Sequence, residues 1–168
     1  VGISSEGYLF EQVKLRGSAT WFDSHISDWI LWLPTTKGFF SPRNVKDVHS
    51  YGVELKANVD VRLGRQWALR LDANYSYTPS INVGEPISAA DRSVGKQLPY
   101  VPRHSASLTG VVSWRGWAFS YMWCHYSERY TMSSNDLSLT GRLPKYYMSN
   151  ISLEKSLQLR WAELSFKG

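Results

Sequence analysis

The stretch from Val48 to Tyr77, VHSYGVELKANVDVRLGRQWALRLDANYSY, narrows the folds open to this chain more than any other. Tyr51, Val53, Leu55, Ala57, Val59, Val61 and Leu63 alternate with Gly52, Glu54, Lys56, Asn58, Asp60 and Arg62. After Gly64, Arg65 and Gln66 the alternation resumes. Trp67, Leu69, Leu71, Ala73, Tyr75 and Tyr77 fall opposite Ala68, Arg70, Asp72, Asn74 and Ser76. Successive strand side chains point to opposite faces, so the pattern predicts a hairpin with one apolar side and one densely charged side. Both strands exceed the roughly 5 to 6 residues usual in soluble sheets and suit the about 9 to 11 tilted residues that cross a bilayer. On that reading the apolar side meets lipid and the charged side a watery lumen.

Composition agrees and removes some alternatives. Among 168 residues, 19 Lys and Arg stand against 14 Asp and Glu, a net charge of +5. The excess is scattered along alternating strands rather than gathered into a patch, which argues against nucleic-acid binding. Eight Trp and ten Tyr suit strands, and also the aromatic belts of membrane barrels. Mean hydropathy is −0.32, and no apolar run approaches the length of a transmembrane helix. Half-apolar strands remain compatible with a membrane. The single Cys124 cannot form an internal disulfide and reads as a small apolar side chain in a strand.

The connections have a rhythm. Val1–Gln12 is poorly patterned, Val13–Trp32 reads as a strand, and Pro34–Asp47 reads as a breaker-rich loop. The Gly64 hairpin follows. Four prolines between Thr78 and Pro102 mark a second long loop. His104–Trp114 and Trp117–Ser127 form a hairpin turning at Arg115–Gly116, and Glu128–Lys145 is a third long loop. Tyr146–Lys155 and Leu159–Phe166 close the series, with a turn expected near Ser156–Gln158. Long and tight connections alternate, as in outer-membrane barrels with short periplasmic turns and long extracellular loops. The expected fold is all-β: an antiparallel up-and-down transmembrane β-barrel, here an incomplete segment of about seven to eight strands. The chain opens at Val1 without Met and ends in LSFKG within a strand pattern, so it reads as part of a longer protein.

No catalytic constellation stands out, and an enzyme is not expected. His25, His49, His104 and His125 lack the helical spacing of a zinc site, so no metal and no cofactor is expected. Ser93–Lys96 and Ser152–Lys155 match Ser-x-x-Lys, but the first lies in a Pro-rich loop and the second in a strand, where the two side chains face apart. Glu54, Asp60 and Asp72 could be catalytic carboxylates in a cleft. Their mixture with Lys56, Arg62 and Arg70 favours a hydrated wall instead. The loop aromatics Phe39, Phe40, Tyr100 and Tyr130 are candidates for gripping a ligand at the mouth, or for packing the loops together.

Asn44–Glu54, NVKDVHSYGVE, resembles the N-x3-V-x3-G-V-E element of TonB-dependent outer-membrane receptors, carried here by Asn44, Val48, Gly52, Val53 and Glu54. LPYVPRHSASLTGVVSWRGWAFSYMWCHYSERY and LPKYYMSNISLEKSLQLRWAELSFKG look like later strands of the same barrels. WLPTTKGFFSPRNV is similar to the cobalamin-receptor-like branch of Bacteroidota. The resemblance implies a barrel of about twenty-two strands around an N-terminal plug. It implies residence in the outer membrane of a Gram-negative bacterium, against outer-membrane lipid. It also implies uptake of a large scarce solute (cobalamin, a siderophore or a glycan) with energy delivered by TonB through the plug. Residues 1–168 would be the C-terminal portion of the barrel, with the plug, the earlier strands and the last strand outside it. A surface lipoprotein over the loops is a further partner on this reading. The alternatives are a passive porin-like barrel and a soluble all-β binding module that buries its apolar face.

Overall fold

The computed structural model describes residues 1–34, 40–86, 89, 91–158 and 163–168. Its strands are β1 (Gly2–Phe10), β2 (Val13–Pro34), β3 (Phe40–Leu63), β4 (Trp67–Tyr77), β5 (Ser80–Asn82), β6 (His104–Trp114), β7 (Trp117–Tyr126), β8 (Arg129–Tyr130), β9 (Arg142–Leu143), β10 (Tyr146–Gln158) and β11 (Glu163–Lys167). One sheet runs β1-β2-β3-β4-β6-β7-β10-β11, β5 pairs with β3, and β8 and β9 form a separate pair. Every pairing is antiparallel. The long strands therefore make an up-and-down meander.

The register sorts side chains as the alternation requires. Val59 lies opposite Leu15 and Leu71, and Leu71 opposite Gly110, so one face is continuous and apolar across β2, β3, β4 and β6. Asp60 lies opposite Lys14 and Arg70, and Asn58 opposite Arg16 and Asp72, on the other face. The only buried hydrophobic side chains among the described residues are Val48 and Leu98. Trp21 is 53% exposed, Phe119 45% and Ile151 68%. Apolar area on this scale is stable only when something outside the chain covers it. No second layer of the described residues does so, as a soluble sandwich would require.

Two aromatic belts bound that face. Trp67, Trp114 and Trp117 gather at the end with the tight turns, the first two rings stacked 5.5 Å apart. Tyr75, Tyr77 and His104 cluster at the other end, and Trp123, His125 and Tyr147 stack beside them. From Trp67 to Tyr77 the chain takes ten steps. At about 3.3 Å per residue and a tilt near 40°, that spans about 25 Å, the height of a membrane barrel's apolar band. The fold is a segment of transmembrane β-barrel wall.

The tight turns have a local cause. Trp114 pairs directly with Trp117, leaving only Arg115 and Gly116 between them, with φ of 46° and 77°. Positive φ at both central residues matches the right-handed strand twist. A Cβ at Gly116 would lie 2.6 Å from the Ser156 carbonyl oxygen, so glycine also admits β10 beside the turn.

Three expectations are corrected. Val1–Gln12 contains a full strand, β1, paired with β2 from Gly2 opposite Thr20. Most of Pro34–Asp47 is not loop, because β2 and β3 stay paired as far as Pro34 opposite Phe40. The turn expected at Ser156–Gln158 is strand, because β10 pairs with β11 through Gln158. The connection between them falls on residues 159–162, outside the described residues.

Candidate functional site

The long connections gather at the end away from the tight turns, and one of them folds back onto the wall. β4 leaves β3 at Tyr77, and β5 takes its place, pairing Ser80, Ile81 and Asn82 with Ser50, His49 and Val48. Val48 is 1% exposed and Leu98 3%, and Ser80, Asn82, Ser93 and Gln97 are buried with them. Their polar groups are matched inward. The Ser80 N–H donates to Gln97 Oε1 at 3.1 Å, and Asn82 Nδ2 donates to Ser93 Oγ at 2.9 Å. Buried polar groups need such partners, and here they order a proline-rich loop that has little apolar core.

Asn135 ties the third connection to the second. Its Oδ1 accepts from the Gln97 N–H at 2.8 Å, and its Nδ2 donates to the Gln97 carbonyl at 2.8 Å. Its φ is 53°, a conformation asparagine tolerates better than most residues. Asn135→Ala is expected to remove both bonds and cost about 1–3 kcal/mol locally. Hydrogen exchange should then accelerate at Lys96–Leu98 and Ser133–Asn135 while the β4–β6 ladder keeps its protection. Unchanged exchange at Gln97 would refute the tie.

Where the third connection begins, an aromatic and cationic cluster stands on the polar face. Tyr126 and Tyr146 are paired in register and stack at 5.2 Å, inclined by 22°. The Arg129 guanidinium lies 4.9 Å from the Tyr146 ring centre, and its buried Nε has no hydrogen-bond partner. Arg142 and Glu128 pair at 3.4 Å. A stacked ring pair with a cation beside it suits a flat or anionic group.

The structure places the sequence candidates unevenly. Tyr100, at φ 61° and 62% exposed, donates its N–H to the Tyr130 carbonyl at 2.7 Å, so the backbone brings these two together. Phe39 lies outside the described residues. Phe40 and Asn44 are placed by backbone alone, opposite Pro34 and Ile30. Val48 is packed beneath the folded-back loop, Val53 lies on the apolar face opposite Trp21 and Tyr77, and Glu54 is exposed on the polar face. Tyr126, Tyr146 and Arg129 were missed. Face parity was the available signal, since both tyrosines fall in the row opposite Trp117, Phe119, Tyr121 and Trp123.

Nearer the tight turns, the polar face forms a hollow lined by Lys14, Arg16, Asp60, Arg62 and Arg70. Asp60 accepts from Arg16 at 2.6 Å and from Arg70 at 2.8 Å, bridging three strands, and Glu6 pairs with Lys14 at 2.7 Å. Asp72 accepts from Asn58. Carboxylates engaged in this way brace a hydrated wall. In the third connection, the Ser138 backbone N–H and then its hydroxyl hold the Asp136 carboxyl below its ordinary pKa.

Residues 1–167 match the family model described as TonB dependent receptor-like, beta-barrel. No curated protein sequence matches the chain. Among solved structures, the ferric citrate transporter FecA matches at TM-score 0.63 and 14% identity, over 99% of this chain and 25% of that one. The copper transporter OprC matches at 0.60 and 17%, over 98% and 23%. The ferric yersiniabactin receptor FyuA from Yersinia pestis matches at 0.56 and 21%, over 92% and 21%. The chain thus spans about a quarter or less of each, and at these identities the likeness is one of fold.

Proposed function

The chain belongs to the TonB-dependent receptor β-barrel family, and from that premise we propose that it forms wall and outer rim of an active outer-membrane transporter for a large, scarce solute. The observation that carries this reading is the Tyr126–Tyr146–Arg129 cluster, which stands on the lumenal face where the long connections gather. The wall is the C-terminal portion of a longer barrel, placed in the outer membrane of a Gram-negative bacterium. Phe40, Tyr100 and Tyr130 belong to the rim of the same mouth. TonB supplies energy through a plug, and the rim offers a seat for a surface lipoprotein. Trp32–Leu33–Pro34 and Ser41–Pro42–Arg43–Asn44 support cobalamin as the solute, with siderophores and glycans as the competing cargoes.

The test is growth of a receptor-deletion strain, complemented with the full-length gene, on limiting cobalamin, ferric siderophore or glycan. One solute is expected to depend on the receptor. The double variant Arg129→Ala, Tyr146→Ala should weaken its binding by about 2 kcal/mol or more, as expected for a central aromatic and cationic anchor. Uptake that persists without TonB would turn the reading to a passive porin-like barrel. Wild-type binding by the double variant would remove the cluster from the solute path.

A further inference from the structure

On the apolar side, beyond the aromatic belt, the wall changes character. Trp21 and Val53 are paired, followed by Asp23 opposite Tyr51 and then His25 opposite His49. Residues paired across an antiparallel ladder share a face, so Asp23, His25 and His49 stand on the outside of the barrel. His25 and His49 are two pleats past the Trp21–Val53 pair, roughly 10 Å further along a tilted strand. That carries them out of the hydrocarbon band.

The rings of His25 and His49 stack with centres 4.2 Å apart and planes 14° apart. His49 Nε2 lies 3.1 Å from Asp23 Oδ1, and His25 Nδ1 lies 3.7 Å from the same oxygen. One donor atom from each residue falls within 4.8 Å of the other two. Tyr51 packs 5.0 Å from His49 and steadies that ring from the membrane side. The Asp23 and His25 side chains are 39% and 69% exposed, so an ion could reach them and keep open coordination positions.

We infer that Asp23, His25 and His49 form a binding site for a divalent transition metal that favours imidazole, of the Zn²⁺, Cu²⁺ or Ni²⁺ class. With metal–nitrogen and metal–oxygen distances of about 2.0–2.2 Å, donor atoms around a tetrahedral ion lie about 3.3–3.5 Å apart. The two Asp23 distances bracket that spacing, but nearly parallel stacked rings cannot both aim a lone pair at one ion, so binding requires the exposed His25 ring to turn out of the stack. Two imidazoles with one carboxylate suit these metals better than Mg²⁺ or Ca²⁺, which prefer oxygen. The site joins β2 to β3 just below Asp28, whose φ of 61° interrupts the ladder without shifting its register. A bound ion would clasp the two strands where they extend beyond the end of β4. The site lies outside the lumen and is independent of the solute reading.

The test uses the full-length receptor in detergent, stripped with chelator and titrated with Zn²⁺, with Cu²⁺ spin resonance in parallel. The His25→Ala, His49→Ala double variant should bind one equivalent fewer than wild type and lose a nitrogen-ligated Cu²⁺ signal. Asp23→Asn should weaken that equivalent about 10-fold or more. Tyr51→Phe and the Arg129→Ala, Tyr146→Ala variant should retain it. Metal should also slow hydrogen exchange across residues 23–49 in wild type only. All these side chains are exposed or half-buried, and heat-modifiable gel migration verifies that each variant folds. Equal stoichiometry and affinity in wild type and the double variant would overturn the site and leave a histidine–aspartate hydrogen bond in its place.

Discussion

Leu71→Arg is expected to destabilise the folded barrel by about 2–4 kcal/mol, the cost of a guanidinium at the bilayer midplane. Leu71 lies on the apolar face between Val59 and Gly110, roughly midway between the Trp67 and Tyr77 belts. An arginine there cannot reach the aqueous interface on either side without distorting the wall or the bilayer. Tyr75→Arg, on the same face but within the outer belt, should cost only about 0–1 kcal/mol, because its head snorkels into water. Asn74→Arg, between them in sequence but exposed on the lumenal face, should stay within about 0.5 kcal/mol. Urea unfolding of the full-length protein in vesicles, followed by tryptophan fluorescence, reads all three. Depth dependence is the discriminating result. Equal losses at Leu71 and Tyr75 would refute a lipid-facing surface and restore the soluble module.

Gly52→Ala should damage the protein more than its single methyl group suggests. A Cβ at this position would overlap the Tyr77 carbonyl and lie 3.3 Å from the Phe22 ring. The obstruction is backbone, at the place where β4 ends and the chain crosses to β5, so no rotamer change relieves it. Either β4 moves off β3 or the Thr78–Arg103 connection is displaced. The expected cost is at the upper end of about 1–3 kcal/mol for overpacking. Gly17→Ala is the matched control, since its nearest new contact would be the Lys56 carbonyl oxygen at 3.8 Å. A comparison of heat-modifiable migration and urea midpoints decides. Equal stability of the two variants would show that Tyr77 has room to move.

The same glycine shows what sequence reading can and cannot reach. Gly52 stands in the short motif that suggested the family, yet nothing in the motif explains why a side chain is intolerable there. The reason lies in a strand 25 residues downstream. The β3–β4 hairpin was legible because lipid on one side and water on the other impose strict alternation. β1 was not, because its apolar face carries Ser5 and Gly7 between Ile3 and Phe10, and its partner β2 supplies the order. The outward half of the β2–β3 hairpin was hidden differently. Outside the bilayer neither face is bound to one solvent, so the sequence loses alternation over Phe40–Asp47 while the backbone ladder continues there. His25 and His49 are 24 residues apart, a distance no helical spacing rule covers, and only the register between strands brings them together.

The neighbour order of the long strands has a consequence for how such a protein can change. Each long strand pairs with the next one along the chain, so no connection has to thread past another. Lengthening a connection at the outer rim then leaves every ladder register as it was. Doubling a loop's length costs only about 0.6 kcal/mol in closure entropy. A lineage can therefore redraft its rim freely while its wall stays constant. Exceptions are the Gln97–Asn135 tie and the Tyr100–Tyr130 backbone bond, which make the second and third connections mutually dependent, so a change in one must be answered in the other.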